Sequence, residues 1–175
     1  NKFAATTQAL CDLAAKGDLK SLTRFLEVTP RIEQAIDGEA LVEALGEVLT
    51  PLGAGVGSGD DDIVAALLAQ GASPNQQAGP RQLAPLHLAV SGGCRPHHPT
   101  VELPNEGKEI TARLLAANAD ASVRTSDGAS PLHYACATGE LDCAELLLDT
   151  ESGRHSLGFL AEGMRPLTIA ALKGN

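Results

Sequence analysis

Cys94-x-x-His97-His98 is the grouping in this chain whose residue types best suit chemistry, since thiolate and imidazole are the ligands zinc prefers. A closed zinc site needs about four ligands, usually as two spaced pairs, and no second pair follows. Glu102 and Glu106 lie in or beside the same stretch and leave an ion that organises a loop open as an alternative. The simpler reading is a loop without metal. Gly53, Gly55, Gly57 and Gly59 alternate ahead of Asp60-Asp61-Asp62. A phosphate-cradling loop needs a preceding strand and a following lysine, and three aspartates repel phosphate. The favoured reading is a flexible linker into a helix whose acidic first turn complements the helix dipole. The aspartates also lack the spacing and distal glutamate of an EF-hand calcium loop. No G-x-S-x-G, H-E-x-x-H or P-loop pattern occurs. Glu39 and Glu43 sit at helical i,i+4 spacing and read as a solvated face. The expectation is therefore no catalytic residue, no cofactor and no metal.

The elements that hold these residues are repeated. Ser130-Pro131-Leu132-His133-Tyr134-Ala135 is nearly a copy of Ala84-Pro85-Leu86-His87-Leu88-Ala89, and Arg165-Pro166-Leu167-Thr168-Ile169-Ala170 is a weaker third copy. A glycine follows each, at Gly93, Gly139 and Gly174. One unit can be read from residues 118 to 148. Asp127-Gly128 is a tight-turn pair. Ser130 suits a helix N-cap, and Pro131 suits the first helical position, where a missing N–H costs nothing. Leu132, Ala135 and Cys136 make one apolar face of a helix that Gly139 ends. A second helix is predicted over Leu141 to Leu148, with Leu141, Ala144, Leu147 and Leu148 facing inward. Helices this short are marginal alone and must stack on neighbours.

Asn118 through His133 resembles the finger and first-helix entry of the ankyrin repeat, whose signature is T-P-L-H-x-A. Gly71-Ala72-Ser73-Pro74-Asn75 looks like the same finger one repeat earlier, after a second helix at Ile63 to Gln70. Leu13 to Leu26 is similar to an ankyrin helix pair without the Pro-Leu-His entry, as in an N-terminal capping repeat. The resemblance is poor over residues 28–62. It implies an all-α solenoid of stacked helix–turn–helix repeats with short β-turn fingers, in one domain over 1–175. The expected repeats are 4–36, 37–82, 83–128, 129–162 and a partial 163–175, with insertions at 51–62 and 92–107. If both insertions join first helix to second, they emerge on one edge. A small excess around Glu151 to Leu157 predicts a reshaped finger. The resemblance also implies that His87 and His133 hydrogen-bond backbone of the neighbouring repeat.

Composition fits a thin aliphatic seam. Tyr134 and three Phe are the only aromatic residues, and there is no Trp. The net charge of −9 with no Lys/Arg cluster argues against nucleic acid and anionic membranes, and favours a neutral or basic protein partner. No apolar run approaches the roughly 18 residues of a membrane span. Cys11, Cys94, Cys136 and Cys143 read as reduced thiols, hence cytoplasm or nucleus. The chain begins with Asn1, and Pro166 to Lys173 reads as the first helix of a further repeat, so the native protein is expected to continue.

Ankyrin-like stacks bind proteins through finger tips and exposed first-helix ends. Carried onto this chain, the resemblance implies Arg81, Leu83 and Ser91 in one repeat and Ser126, Asp127, Ala129, Ala137 and Thr138 in the next. Met164, Leu172 and Lys173 follow in the last. Leu83 and Met164 are expected to be exposed apolar anchors, and the hydroxyl of Tyr134 is expected at the concave surface. The expected function is non-catalytic protein–protein recognition by a monomer. The alternatives are a regulatory or targeting module of a larger enzyme, channel or ubiquitin-pathway protein, and a metal-binding module on the Cys94–His98 loop.

Overall fold

The computed structural model describes residues 2–29, 32, 35–42, 47–91 and 106–174. The described chain is mostly helical and its helices come in pairs. They are α1 (Lys2–Ala15) with α2 (Leu19–Val28), α3 (Pro51–Ser58) with α4 (Asp61–Ala69), α5 (Pro85–Val90) with α6 (Glu106–Ala116), and α7 (Pro131–Thr138) with α8 (Leu141–Asp149). A short α9 (Glu151–His155) and a 3-10 turn (Ser156–Gly158) lead to α10 (Pro166–Lys173). First helices pack in file, α1 on α3 on α5 on α7 on α10, and second helices form a parallel file from α2 to α8. The seam between the files is aliphatic: Leu10, Leu22, Leu52, Leu67, Leu86, Leu114, Leu132 and Leu147 are all fully buried. Among the described residues the chain also forms two strands, β1 (Ala40–Val42) and β2 (Glu47–Leu49), paired antiparallel with Leu41 opposite Val48.

Residues 51–62 are not a flexible insertion. Thr50 caps α3, its Oγ1 accepting from the Gly53 N–H at 3.1 Å, and Pro51 takes the first helical position. The helix ends at Gly59, and Asp60 at once caps α4, accepting from the Asp62 and Ile63 N–H groups at 3.0 and 3.2 Å. Gly53, Gly55 and Gly57 are buried. A Cβ on Gly55 would lie 2.9 Å from Ile63 Cγ2, and one on Gly53 3.3 Å from Leu88 Cδ1. These glycines let α3 approach α4 and α5 closely, and that packing outweighs a helix-propensity penalty of about 1 kcal/mol each. The i,i+4 reading of Glu39 and Glu43 also fails, since β1 begins at Ala40; Glu43 itself lies outside the described residues. So does the second expected insertion up to residue 105, while Glu106 and Gly107 already belong to α6.

The repeat unit read from 118 to 148 has the expected turns. Asn118 (φ 64°) and Gly128 (φ 87°) are left-handed, and Gly139 (φ 81°) ends α7. Leu141 differs from expectation: it is 71% exposed, because Cys143 and Leu147, four apart, define the buried face of α8 and Leu141 points away from it. The surplus residues after α8 form a cap. Arg154 Nη1 donates to the carbonyls of Leu148 (2.9 Å) and Asp149 (3.1 Å), which the end of α8 leaves unpaired. Gly153 is buried against that same end. A Cβ there would lie 2.6 Å from the Leu147 carbonyl carbon and closer still to its oxygen.

Two imidazoles tie first helices to the finger that follows. The Ala84 N–H donates to His87 Nδ1 at 3.2 Å, and the Ser130 N–H donates to His133 Nδ1 at 3.1 Å. The Ser130 hydroxyl lies 2.8 Å from the same nitrogen. Since Nδ1 accepts, the ring proton sits on Nε2. Nε2 of His87 then donates to the Ala129 carbonyl at 3.2 Å, and Nε2 of His133 to the Met164 carbonyl at 3.3 Å. Each ring thus spans from its own helix entry to the next repeat, as the resemblance implied. Burial holds both rings neutral, pushing His87 down from 6.5 to about 4 and lowering His133 as well.

Leu132→Ala and Leu147→Ala should each lower unfolding free energy by roughly 2–5 kcal/mol in denaturant titrations, as fully buried truncations. Gly153→Ala should also destabilise, since a backbone carbonyl blocks its Cβ; an unchanged midpoint would show that the α8–α9 junction relaxes freely. Stability should fall as pH drops. The unfolded chain takes up a proton near 6.5 that the folded His87 refuses until about 4, so stability is intact above 6.5 and declines through that window. The His87 share is on the order of 3 kcal/mol. His87→Gln should be less stable at neutral pH and show a flatter decline between pH 6.5 and 4, measured as denaturant midpoints across pH.

Candidate partner-binding surface

The turns that join second helices to first helices are linked into a ledge. The finger Ala78–Leu83 closes by paired backbone hydrogen bonds of 3.0 Å, and Ala161–Met164 closes in the same way at 3.0 and 2.9 Å. In the latter, Glu162 (φ 50°) and Gly163 (φ 79°) are both left-handed, which makes a two-residue type I′ turn. The middle finger closes through the Thr125 N–H and the Ala129 carbonyl, 2.9 Å apart. Bonds also run between fingers. Gly79 N–H donates to the Glu39 carboxylate (3.3 Å), Gln77 Nε2 to the Arg124 carbonyl (2.7 Å), and Ser126 N–H to the Arg81 carbonyl (3.0 Å). Asn75 bridges lower down, donating to the Asn118 carbonyl at 3.1 Å and accepting from the Asp120 N–H at 2.7 Å.

The residues expected to meet a partner divide into three sets. Leu83 and Ala129 are buried, at 3% and 7% exposure. Leu83 closes its finger and packs into the core, and the Ala129 carbonyl receives His87, so neither side chain is an anchor. Asp127, Ala137 and Met164 meet around a cleft of about 170 Å³ between α7, α10 and the last two fingers, with Ala129 in its wall. Arg81, Ser91, Ser126, Thr138, Leu172 and Lys173 lie outside that cleft. Arg81 and Ser126 are exposed finger residues, and Leu172 and Lys173 are exposed on α10. Ser91 is half-buried with its hydroxyl on the Leu88 carbonyl (3.0 Å), and the Thr138 hydroxyl lies 3.0 Å from the Tyr134 carbonyl.

Tyr134 also lines the cleft, with its ring edge-on to His87 at 5.3 Å between centroids. Its hydroxyl accepts from Arg81 Nη2 at 3.0 Å, and Arg81 also pairs with Glu47 at 3.5 Å. Glu162 and Ile169 complete the cleft, and sequence reasoning passed over both. Glu162-Gly163 occupies the finger place that Asp127-Gly128 occupies one repeat earlier, and aligning the two turns would have found it. The Thr125 hydroxyl donates to the Asp127 carboxylate and holds it below the usual carboxylate range, so the charge persists at neutral pH.

Several of the described groups that could otherwise do chemistry are occupied or buried. His87 and His133 have both ring nitrogens committed. Burial pushes the Cys11 thiol up to about 12 and raises Cys136 and Cys143, the reverse of nucleophile activation. Asp60 caps α4, and Asp61 forms a two-bond ion pair with Arg113. Among the described residues no three His, Cys, Asp or Glu side chains converge as metal ligands. Cys94, His97, His98 and Glu102 lie outside the described residues. Among the described residues no helix is long and apolar enough to cross a membrane.

Residues 100–175 match a family model described as ankyrin repeats in three copies. Protein fem-1 homolog C of Bos taurus, Mus musculus and Homo sapiens are each 38% identical to this chain over 79 residues. That stretch is 44% of this chain and only 12% of each relative, so the chain matches a small part of their length. With their Pro-Leu-His helix entry, filed helices and imidazole tie, residues 100–175 match ankyrin repeats, and the filed helix pairs before them resemble the same repeat.

Proposed function

We propose that this chain is a non-catalytic protein-recognition module, an α-solenoid that grips a partner with its fingers and the concave ends of its first helices. The observation that carries the reading is the cleft between α7 and α10, where half-buried Met164 and Ile169 meet exposed Asp127 and Glu162. Apolar surface rimmed by charge, on a ledge stiffened by bonds between fingers, is the anatomy of a recognition patch. Among the described residues, the His87 and His133 imidazoles are spent on structure and the Cys11 and Cys143 thiols are buried. The module works as a monomer inside the cell, on a neutral or basic protein, and the net charge of −9 steers such a partner toward it. The 12% coverage of the fem-1 relatives favours a second, compatible reading, in which the repeats target or regulate a longer protein.

A random dodecapeptide library displayed on phage tests the surface directly. The wild-type chain should enrich a consensus, and the Asp127→Arg/Met164→Asp double variant should lose affinity for those peptides by at least about tenfold, or 1.4 kcal/mol. Circular dichroism and a melt should show that the variant keeps its helices. Unchanged peptide affinity in a folded double variant would remove the mapped surface.

A further inference from the structure

The size of the cleft beside α7 and α10 restricts what it can take. Its volume of about 170 Å³ falls well below the roughly 300–1,000 Å³ of small-molecule sites, yet exceeds the ~150 Å³ cavity that accepts benzene. That is room for one side chain of a partner. Its chemistry narrows the choice further. Tyr134, Ala137, Met164 and Ile169 supply a mostly apolar wall, and Asp127 and Glu162 supply two carboxylates. No cation lines it. Arg81, a cation on the neighbouring finger, is held by Glu47 and the Tyr134 hydroxyl. His133 lines the cleft too, but its Nε2 donates to the Met164 carbonyl and burial lowers its affinity for a proton.

We propose that this cleft is a subsite for one basic side chain, arginine or lysine, of an extended partner segment. The inference rests on the recognition reading above and names the partner's chemistry at one position. A long basic side chain satisfies both halves of the site at once. Its methylenes lie against Met164 and Ile169, its cationic head reaches the Asp127 and Glu162 carboxylates, and the Tyr134 ring adds an electron-rich neighbour. An apolar residue of equal volume would desolvate two carboxylates with nothing in return, and an acidic one would be repelled.

The composition supplies a single-site reporter, because Met164 is the only methionine. The full chain, labelled with carbon-13 at the methionine methyl, is titrated with N-acetyl-arginine amide and with N-acetyl-citrulline amide, its uncharged isostere. Arginine should give a saturable shift of the Met164 signal that weakens as salt rises, and citrulline should give none. Glu162→Asn should weaken the arginine response roughly two- to fivefold, as expected for an exposed charge pair. Asparagine suits the left-handed turn at 162, so the finger should survive the change. Library peptides selected by the wild type should carry an enriched arginine or lysine whose replacement by citrulline or norleucine weakens binding. Equal shifts with both amides, no arginine shift, or selected peptides without a basic preference would overturn the subsite and leave the recognition surface standing. Failure to select any peptide would overturn the recognition reading, and the subsite with it.

Discussion

Two buried imidazoles hold the stack in register. His87 is 0% exposed and His133 is 2% exposed, and each uses one nitrogen on its own helix entry and the other on the next repeat's finger. Neither end is optional. The Ala84 and Ser130 N–H groups open helices and need an acceptor, and the Ala129 and Met164 carbonyls close fingers and receive a donor. A single uncharged ring answers both demands only in one tautomer; burial keeps the ring neutral, and the N–H donor and carbonyl acceptor select the tautomer. One imidazole thereby spans from each of these two helix entries to the finger that follows. A six-residue helix such as α5 would not persist alone, so this tie and the leucine seam make the repeats interdependent.

Sequence reasoning reached the parts of the fold whose physics is local. Proline at the first helical turn, glycine or asparagine at left-handed turns, and the histidine four residues into each entry are requirements of short segments, and residues 118–139 show all of them. It failed where a residue's role depends on a neighbour distant along the chain. The glycines at 53 and 55 look like flexibility in isolation, but they are set by the nearness of Ile63, Leu67 and Leu88. The Thr50-Pro51-Leu52 entry was legible there as one more copy of the repeated start, and glycine density hid it. The same limit applies to Leu83 and Leu141. Their type is fixed by sequence, yet their exposure is fixed by packing, and each proved the reverse of its expectation.

The candidate site was legible by halves for a related reason. Asp127 and Met164 were reachable from the finger pattern, but the cleft they share exists only because two repeats come together. Finger length contributes to it. The first of the three fingers places four residues, 79–82, between its bridge partners, whereas the last places only Glu162 and Gly163 between Ala161 and Met164. A two-residue turn keeps its tip close to the helices and leaves Ile169 and Ala137 partly uncovered. The charge then falls at the lip of the cleft, because Glu162 is itself a turn residue.

That placement separates what is rigid from what is selective. The Met164 carbonyl is bonded to His133 and to the Ala161 N–H, so the backbone under the cleft is anchored on both sides. The Met164 side chain is only half-buried and the Glu162 side chain is exposed, so side-chain identity at the rim can vary without disturbing the tie beneath. Stability and specificity therefore draw on different atoms of the same residues. A partner that fits such a site gains from a pre-ordered backbone and loses little entropy ordering it. In a stack of weak helix pairs, the hydrogen bonds that tie one repeat to the next also fix the backbone beneath the short acidic finger.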